Sequence, residues 1–369
     1  MKVIIAGGGT GGHLFPGIAL ASSIIEKYPD AKITFIGTER GLEAKIIPKT
    51  GYELKLISVR GFVGKSINDK IKSIFSLVKS FNECKKIIKS YSPQIVFGVG
   101  GYASFPLVLI ASLKKIPTVI LEQNTVPGLA NKILGNFVSA IAITYPETIE
   151  HFPKEKVYLT GTPIRKEILF GDRKKADKIF NLNEDRKTLL VFGGSLGARK
   201  INKAMVDGLS YLIPFRDKIQ IIHQTGDGDY NWVAREYEKL SFKATVLPFI
   251  YEMAEAYSVA DLIVCRAGAS TVAEITALGK ASILIPYPYA AYNHQETNAR
   301  RLLSRGACEF ILDREINGEI LAKKIIKILD DSKIRKEMEM ASLAFGNAKA
   351  GEKIIEIAES LIRRRNASL

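Results

Sequence analysis

Cysteine is scarce in this chain, with three residues, Cys84, Cys265 and Cys308, among 369. They lie far apart and show no Cys-x-x-Cys spacing. That excludes a disulfide framework and a zinc knuckle, and points to a reducing, cytosolic setting. Long apolar runs are missing too. The stretch from Phe105 to Leu113 is too short to cross a bilayer. The first residues run straight into a strand pattern without the layout of a secretory leader, so none is expected. There is no short-period repeat and no low-complexity tract, and a hydrophobic content of 47% excludes a disordered chain.

What is abundant is positive charge. The formal net charge is +15, of which residues 1–160 carry +9. Such a surplus calls for an acidic partner, whether nucleic acid, an anionic membrane or a phosphorylated substrate, and does not choose among them. Part of it is concentrated between Lys55 and Lys89, a net +7. There Ile71, Ile74, Phe75, Val78 and Phe81 recur at helical spacing, interleaved with Lys65, Lys70, Lys72, Lys79, Lys85, Lys86 and Lys89. The pattern fits an amphipathic surface resting on anionic lipid, and equally a core-facing helix with a solvated basic face.

Glycine is the second abundance, and it is clustered. Between Gly7 and Gly12 five of six residues are glycine, with Thr10 among them and His13 following. The cluster comes directly after the strand-like Val3–Ala6. A second cluster, Gly193-Gly194-Ser195-Leu196-Gly197, follows Thr188–Phe192. Each is a strand–glycine loop–helix unit, which lets a backbone approach a phosphate or sugar closely. Gly7-x-Gly9-x-x-Gly12 also satisfies the dinucleotide fingerprint, a weak signal alone. Glu39 is only a displaced candidate for its ribose-binding acid. His13 should sit near the start of a helix, where a neutral, base-competent imidazole is favoured.

The chain alternates strand and helix patterns throughout. Strands are expected at 3–6, 33–36, 54–57, 95–98, 118–121, 140–143 and 157–159. A second series is expected at 188–192, 219–222, 245–247, 262–265 and 282–285. Helical patterns cover 17–27, 42–49, 66–90, 318–329, 333–345 and 353–364. This predicts an α/β protein of two Rossmann-like domains, each with a mostly parallel sheet, facing one cleft. Thr160-Gly161-Thr162-Pro163 reads as the hinge. The expected division is 1–162, 163–345 and a C-terminal helix in 346–369 packing back on the first domain.

Further along, Arg266 to Glu274 follows a strand with small residues that permit close ligand approach. Ser270 or Thr271 reads as a helix cap, and Glu274 as a first-turn carboxylate suited to ribose hydroxyls. Asn293-His294-Gln295 and Glu122-Gln123-Asn124 carry amides at loop–helix or strand-end positions. Asp227-Gly228-Asp229 resembles a metal-binding acidic pair, but Asp and Gly there are ordinary turn and cap residues.

Together, the clusters 7–13, 100–106, 122–124, 160–165, 193–195 and 266–274 resemble, in order and over essentially the whole chain, the MurG family of bacterial peptidoglycan glycosyltransferases. The resemblance implies the GT-B fold. It implies inverting transfer of N-acetylglucosamine from UDP-N-acetylglucosamine to the C4 hydroxyl of lipid-linked N-acetylmuramyl-pentapeptide (lipid I), without cofactor or metal. Carried over, the donor would be bound by Thr10, Gly11, Gly12, Asn124, Arg165, Ser195, Ile250, Ala269, Ser270, Thr271, Val272, Ala273, Glu274 and Gln295. His13 would be the catalytic base. Gly100, Gly101 and Tyr102 would meet the acceptor. Lys72, Ile74, Phe75, Val78 and Lys79 would dock an anionic membrane, placing the protein peripherally on the cytoplasmic face of the inner membrane. Cell-wall and division proteins are expected partners and nucleic acid is not. Leu196, Thr162 and Tyr292 depart from the family's usual Gln, Asn and acid. The alternatives are a GT-B enzyme acting on another lipid such as a diacylglycerol, an NAD(P)-dependent oxidoreductase, and a nucleic-acid-binding protein.

Overall fold

The computed structural model describes residues 1–39, 41–59, 67–194 and 196–367, with backbone alone for 67–75 and for Ala291. The chain divides into two compact units. One comprises residues 1–165 and 347–369, the other residues 166–346.

In the first unit, seven strands form one parallel sheet in the order β3-β2-β1-β4-β5-β6-β7. They are β1 (Lys2–Gly7), β2 (Lys32–Gly37), β3 (Glu53–Leu56), β4 (Ile95–Gly100), β5 (Thr118–Glu122), β6 (Ala140–Ile143) and β7 (Val157–Leu159). The apolar runs reflect burial on both faces. In β1, Val3 and Ile5 pack into one core with helix Gly11–Lys27, while Ile4 and Ala6 pack into the other with helix Ser104–Leu113. The C-terminal helix Ala350–Ala367 belongs to this unit. Its Ile354, Ile355 and Ala358 join the first core, and Tyr28 donates a 2.6 Å hydrogen bond to Glu359.

The second unit repeats the plan with six parallel strands in the order β10-β9-β8-β11-β12-β13. These are β8 (Lys187–Phe192), β9 (Ile219–Gln224), β10 (Ala244–Leu247), β11 (Leu262–Cys265), β12 (Ser282–Leu284) and β13 (Glu309–Phe310). Leu189 and Val191 face one core, Leu190 and Phe192 the other. Two-residue β13 carries no apolar run of its own. It exists because Ile283 and Leu284 pair with Glu309 and Phe310.

Both sheets follow the 3-2-1-4-5-6 order of dinucleotide-binding folds. In such open sheets the strand order reverses between the first and fourth strands, and ligands bind beyond the carboxyl ends there. In the first unit that point lies between β1 and β4, which carry the loops beginning at Gly7 and Gly100. In the second it lies between β8 and β11, followed by the Gly193 loop and by Arg266–Glu274.

Helix boundaries differ from expectation: the pattern at 42–49 is the short helix Glu43–Ile46 followed by a 3-10 turn, the last helix runs Ala350–Ala367, and the largest shift is in the first helix. The helix expected from Gly17 starts at Gly11, with Pro16 inside it. The amides of His13 and Leu14 both reach the Thr10 carbonyl, closing the first turn through residues that read as loop. Among the described residues no helix is long and apolar enough to cross a membrane.

Candidate active site

In the first unit, Gly7, Gly8 and Gly9 take φ of +147°, +147° and +85°, backbone that L side chains rarely adopt. Thr10 then caps the helix by position only, because its side chain makes no capping bond and the first turn holds no acid. Gly11, Gly12 and His13 are the first three helical residues. His13 Nδ1 lies 3.3 Å from Thr10 Oγ1.

The second loop of this unit interlocks with the first. The Gly8 amide donates to the Gly100 carbonyl at 3.3 Å. A β-carbon at Gly101 would stand 2.5 Å from the Gly8 carbonyl oxygen, and one at Gly100 would stand 2.5 Å from Cδ2 of His13. Tyr102 follows, 47% exposed. Thr10–His13 and Gly100–Tyr102 thus form one cluster at the strand-order reversal.

Asn124 is set by Glu122, a buried carboxylate at the end of β5. Glu122 accepts from the Asn124 amide at 3.1 Å, Asn124 Nδ2 at 3.2 Å, Gly128 N–H at 3.2 Å and Asn131 Nδ2 at 2.9 Å. Burial pushes this carboxyl above the usual range, and the hydrogen bonds of Asn131, Asn124 and Gly128 oppose that rise. Gln123 ties the segment to β4 through a 3.1 Å bond to the Val99 carbonyl. Arg165 lies with its guanidinium 5.2 Å from the ring centroid of Phe15, two residues beyond His13. Thr162 is buried, its hydroxyl 2.7 Å from that of Thr144.

In the second unit, Ser195 lies outside the described residues. On either side of it, the Gly197 amide donates to the Gly194 carbonyl at 2.9 Å. Leu196 is 90% exposed. The helix that follows, Arg199–Leu212, has Ala198 at its N-cap and no acid in its first turn.

Helix Ala269–Ala277 corrects two readings. Its N-cap is Gly268, so Ser270 and Thr271 are helical residues rather than caps. Glu274 consequently falls in the second turn. It is 7% exposed, and Tyr257 donates to its Oε2 at 3.0 Å. Ile250, Val272 and Tyr257 share one core cluster. Gln295 opens helix His294–Leu303 beside His294, and its Oε1 accepts the Tyr287 amide at 2.9 Å. Tyr292 and Asn293 reach it through left-handed backbone, φ +53° and +54°.

Asp229 is the N-cap of helix Tyr230–Lys239, yet makes no capping bond. Its carboxylate accepts from Asn202 Nδ2 and Trp232 Nε1, each at 2.9 Å, and pairs with Arg199 at 3.4 Å. Both oxygens are therefore engaged by protein. Of the membrane candidates, Val78 is 57% exposed and Lys79 pairs with Glu83 at 3.8 Å on helix Ile67–Tyr91. The side chains of Lys72, Ile74 and Phe75 lie outside the described set.

Sequence reasoning missed the residues behind the site: Glu43, Tyr257, Phe15 and the buried trio Asn202, His223 and Tyr237. Each sits in an unremarkable pattern, and only the fold brings it to its partner.

Comparison with known proteins decides the family. Residues 3–143 match the glycosyltransferase family 28 N-terminal domain and residues 188–356 match the family 28 C-terminal domain. A protein of Thermodesulfovibrio yellowstonii named UDP-N-acetylglucosamine--N-acetylmuramyl-(pentapeptide) pyrophosphoryl-undecaprenol N-acetylglucosamine transferase is 74% identical over 99% of this chain and 100% of its own. The chain belongs to the MurG family of glycosyltransferase family 28. A relative with the same name in Citrifermentans bemidjiense is 46% identical over 96% of this chain and 98% of its own. The crystal structure of Acinetobacter baumannii MurG matches with a TM-score of 0.74 and 28% identity, covering 97% of this chain and 99% of that one. A UDP-GlcNAc 2-epimerase of Neisseria meningitidis shares the fold alone, with a TM-score of 0.68 at 12% identity over 96% of this chain and 99% of that one.

Proposed function

We propose that this chain transfers N-acetylglucosamine from UDP-N-acetylglucosamine to the C4 hydroxyl of lipid-linked N-acetylmuramyl-pentapeptide. The observation that carries the reading is the full-length identity of 74% to a transferase of that name. The geometry of both strand-order reversals supports it.

The second unit holds the donor. Ile250 meets uracil through its backbone, Glu274 takes the ribose hydroxyls, and Gln295 binds the sugar. The start of helix Ala269–Ala277 and the loop of Ser195 face the diphosphate. Helix N-termini suit such an anion, and this one carries no first-turn acid to oppose it. The first unit holds the acceptor and the base, with Thr10, Gly11, Gly12 and Asn124 touching the donor sugar and Arg165 the diphosphate.

The donor is α-linked and the product β1→4, so one in-line displacement suffices. His13 takes the proton of the C4 hydroxyl as its oxygen bonds to the anomeric carbon. The bond from that carbon to the diphosphate oxygen breaks, and UDP leaves with the electron pair. The tautomer with Nδ1–H donating to Thr10 Oγ1 leaves Nε2 as the basic atom. Removing one electrostatic donor to departing UDP should cost on the order of 3 kcal/mol of barrier.

Access to a lipid acceptor is provided by helix Ile67–Tyr91, through Lys72, Ile74, Phe75, Val78 and Lys79 against the anionic cytoplasmic face of the inner membrane. The reading is tested by UDP release from UDP-N-acetylglucosamine with a short-chain muramyl-pentapeptide lipid, with and without EDTA. Acceptor-dependent release that survives EDTA supports it. Release that needs no muramyl acceptor, or none from protein that binds donor, overturns it.

A further inference from the structure

A buried carboxylate outside the candidate site holds the first glycine loop. Glu43, at the start of the short helix Glu43–Ile46, is 1% exposed. Its Oε2 accepts the Gly9 amide at 2.7 Å, and its Oε1 accepts the amide and hydroxyl of Thr38 at 2.8 and 3.0 Å. A β-carbon at Gly8, Gly37 or Gly41 would run into the Glu43 side chain. Glycines from three places in the chain thus clear the space that this one side chain fills.

In dinucleotide-binding sheets of this strand order, a carboxylate beyond the second strand binds the ribose. Here the buried acid beyond β2 is turned inward to the loop. In the second unit the acid beyond β9, Asp229, is also turned to protein, and it meets Asn202 and Trp232 rather than the glycine loop itself. Asn202 donates to Asp229 with one amide proton and to the Thr225 carbonyl with the other, each at 2.9 Å. A β-carbon at Gly197, in the second glycine loop, would collide with that Thr225 carbonyl.

We propose that Glu43 is a positioning residue for sugar transfer, fixing the first glycine loop and, through it, the placement of His13. Three consecutive glycines carry no side chains to restrain them, and ordering them is entropically costly. The carboxylate pins Gly9 to Thr38 at the end of β2. The next residue, Thr10, is the N-cap of the helix that presents His13. The inference rests on the proposed role of His13.

The test uses the full-length protein with the short-chain lipid acceptor. Glu43→Gln keeps the volume but sets an amide donor against a backbone N–H. Thr38→Val removes one hydroxyl contact and leaves the carboxylate on both amides. The expected result for Glu43→Gln is a fall in kcat of at least tenfold, with a smaller rise in KM for UDP-N-acetylglucosamine, whose uridine is held by the other unit. Hydrogen exchange should accelerate in the peptide around Gly8–His13 and not elsewhere, while Thr38→Val stays within threefold throughout. A kcat within twofold of wild type overturns the proposal, as does a loss shared by donor KM and exchange across the whole unit. Should Glu43→Gln not fold, Glu43→Asp, too short to span Gly9 and Thr38, carries the same expectation and the same refutation. If wild type transfers nothing, the functional reading fails, and the exchange contrast at Gly9 still decides whether Glu43 holds the loop.

Discussion

The imidazole of His13 occupies the space in which any residue other than glycine at position 100 would place its β-carbon, 2.5 Å from Cδ2 and 2.8 Å from Nε2. Gly100 also has φ +100°. The two glycine loops of the first unit are therefore one mechanical assembly, with the proposed base as the part they share.

Gly100→Ala should displace the His13 ring and strain the backbone, at a cost of about 1–3 kcal/mol in stability. The expected kinetic outcome is a fall in kcat of tenfold or more with UDP affinity largely retained, because the uracil and ribose are assigned to the other unit. Steady-state kinetics alongside UDP binding by calorimetry checks this. Unchanged kcat would remove His13 from the chemistry.

Glu274 is assigned to the ribose, with Tyr257 holding its Oε2 at 3.0 Å. Glu274→Gln should weaken UDP by about 1.5–3 kcal/mol, the range for hydrogen bonds to a charged group. The same substitution should affect 2′-deoxy-UDP far less. Tyr257→Phe should give a smaller loss of the same kind. Equal losses for UDP and its deoxy analogue would place Glu274 elsewhere.

His223 supplies the pH dependence. Burial pushes its pKa down from 6.5 to about 3. Its Nε2 faces Asn202 Oδ1 at 3.1 Å, an acceptor, so Nε2 carries the proton and Nδ1 accepts from the Tyr237 hydroxyl at 2.9 Å. A depressed folded pKa means that the stabilisation is fully present above pH 6.5 and is lost as pH falls toward 3. The slope should approach about 1.4 kcal/mol per pH unit. Thermal unfolding of wild type and His223→Gln between pH 7 and 4 should converge as the pH drops. Parallel curves would contradict it.

Membrane docking is tested by Phe75→Ser combined with Lys72→Glu. Co-sedimentation with anionic liposomes should fall several-fold, with UDP-sugar binding unchanged. Equal co-sedimentation of variant and wild type would count against this face of helix Ile67–Tyr91.

Much of the architecture is legible in the sequence because fully buried parallel strands read as uninterrupted apolar runs, as in Val3–Ala6 and Leu189–Phe192. Boundaries inside glycine-rich segments are not. Gly11 and Gly12 are helical because Thr10 accepts two amides, a fact of the closed turn rather than of residue type. Ser270 and Thr271 have the chemistry of caps, but the helix is capped at Gly268, two and three residues before them. Glu43 was illegible for a different reason. Its partners Gly9 and Thr38 and the glycines that clear its space come together only when β1 and β2 pair. The acidic pair at 227–229 suggests a metal by spelling alone, and the bonds from Asn202, Trp232 and Arg199 show what occupies Asp229.

The measurement that most directly tests the central claim is the linkage and anomeric configuration of the disaccharide lipid made by the purified protein from UDP-N-acetylglucosamine and lipid-linked muramyl-pentapeptide, read by NMR. A β1→4 bond to the muramyl sugar is the result predicted by a single displacement with His13 as base. An α-linked product, or transfer to a diacylglycerol with none to the muramyl lipid, would contradict it.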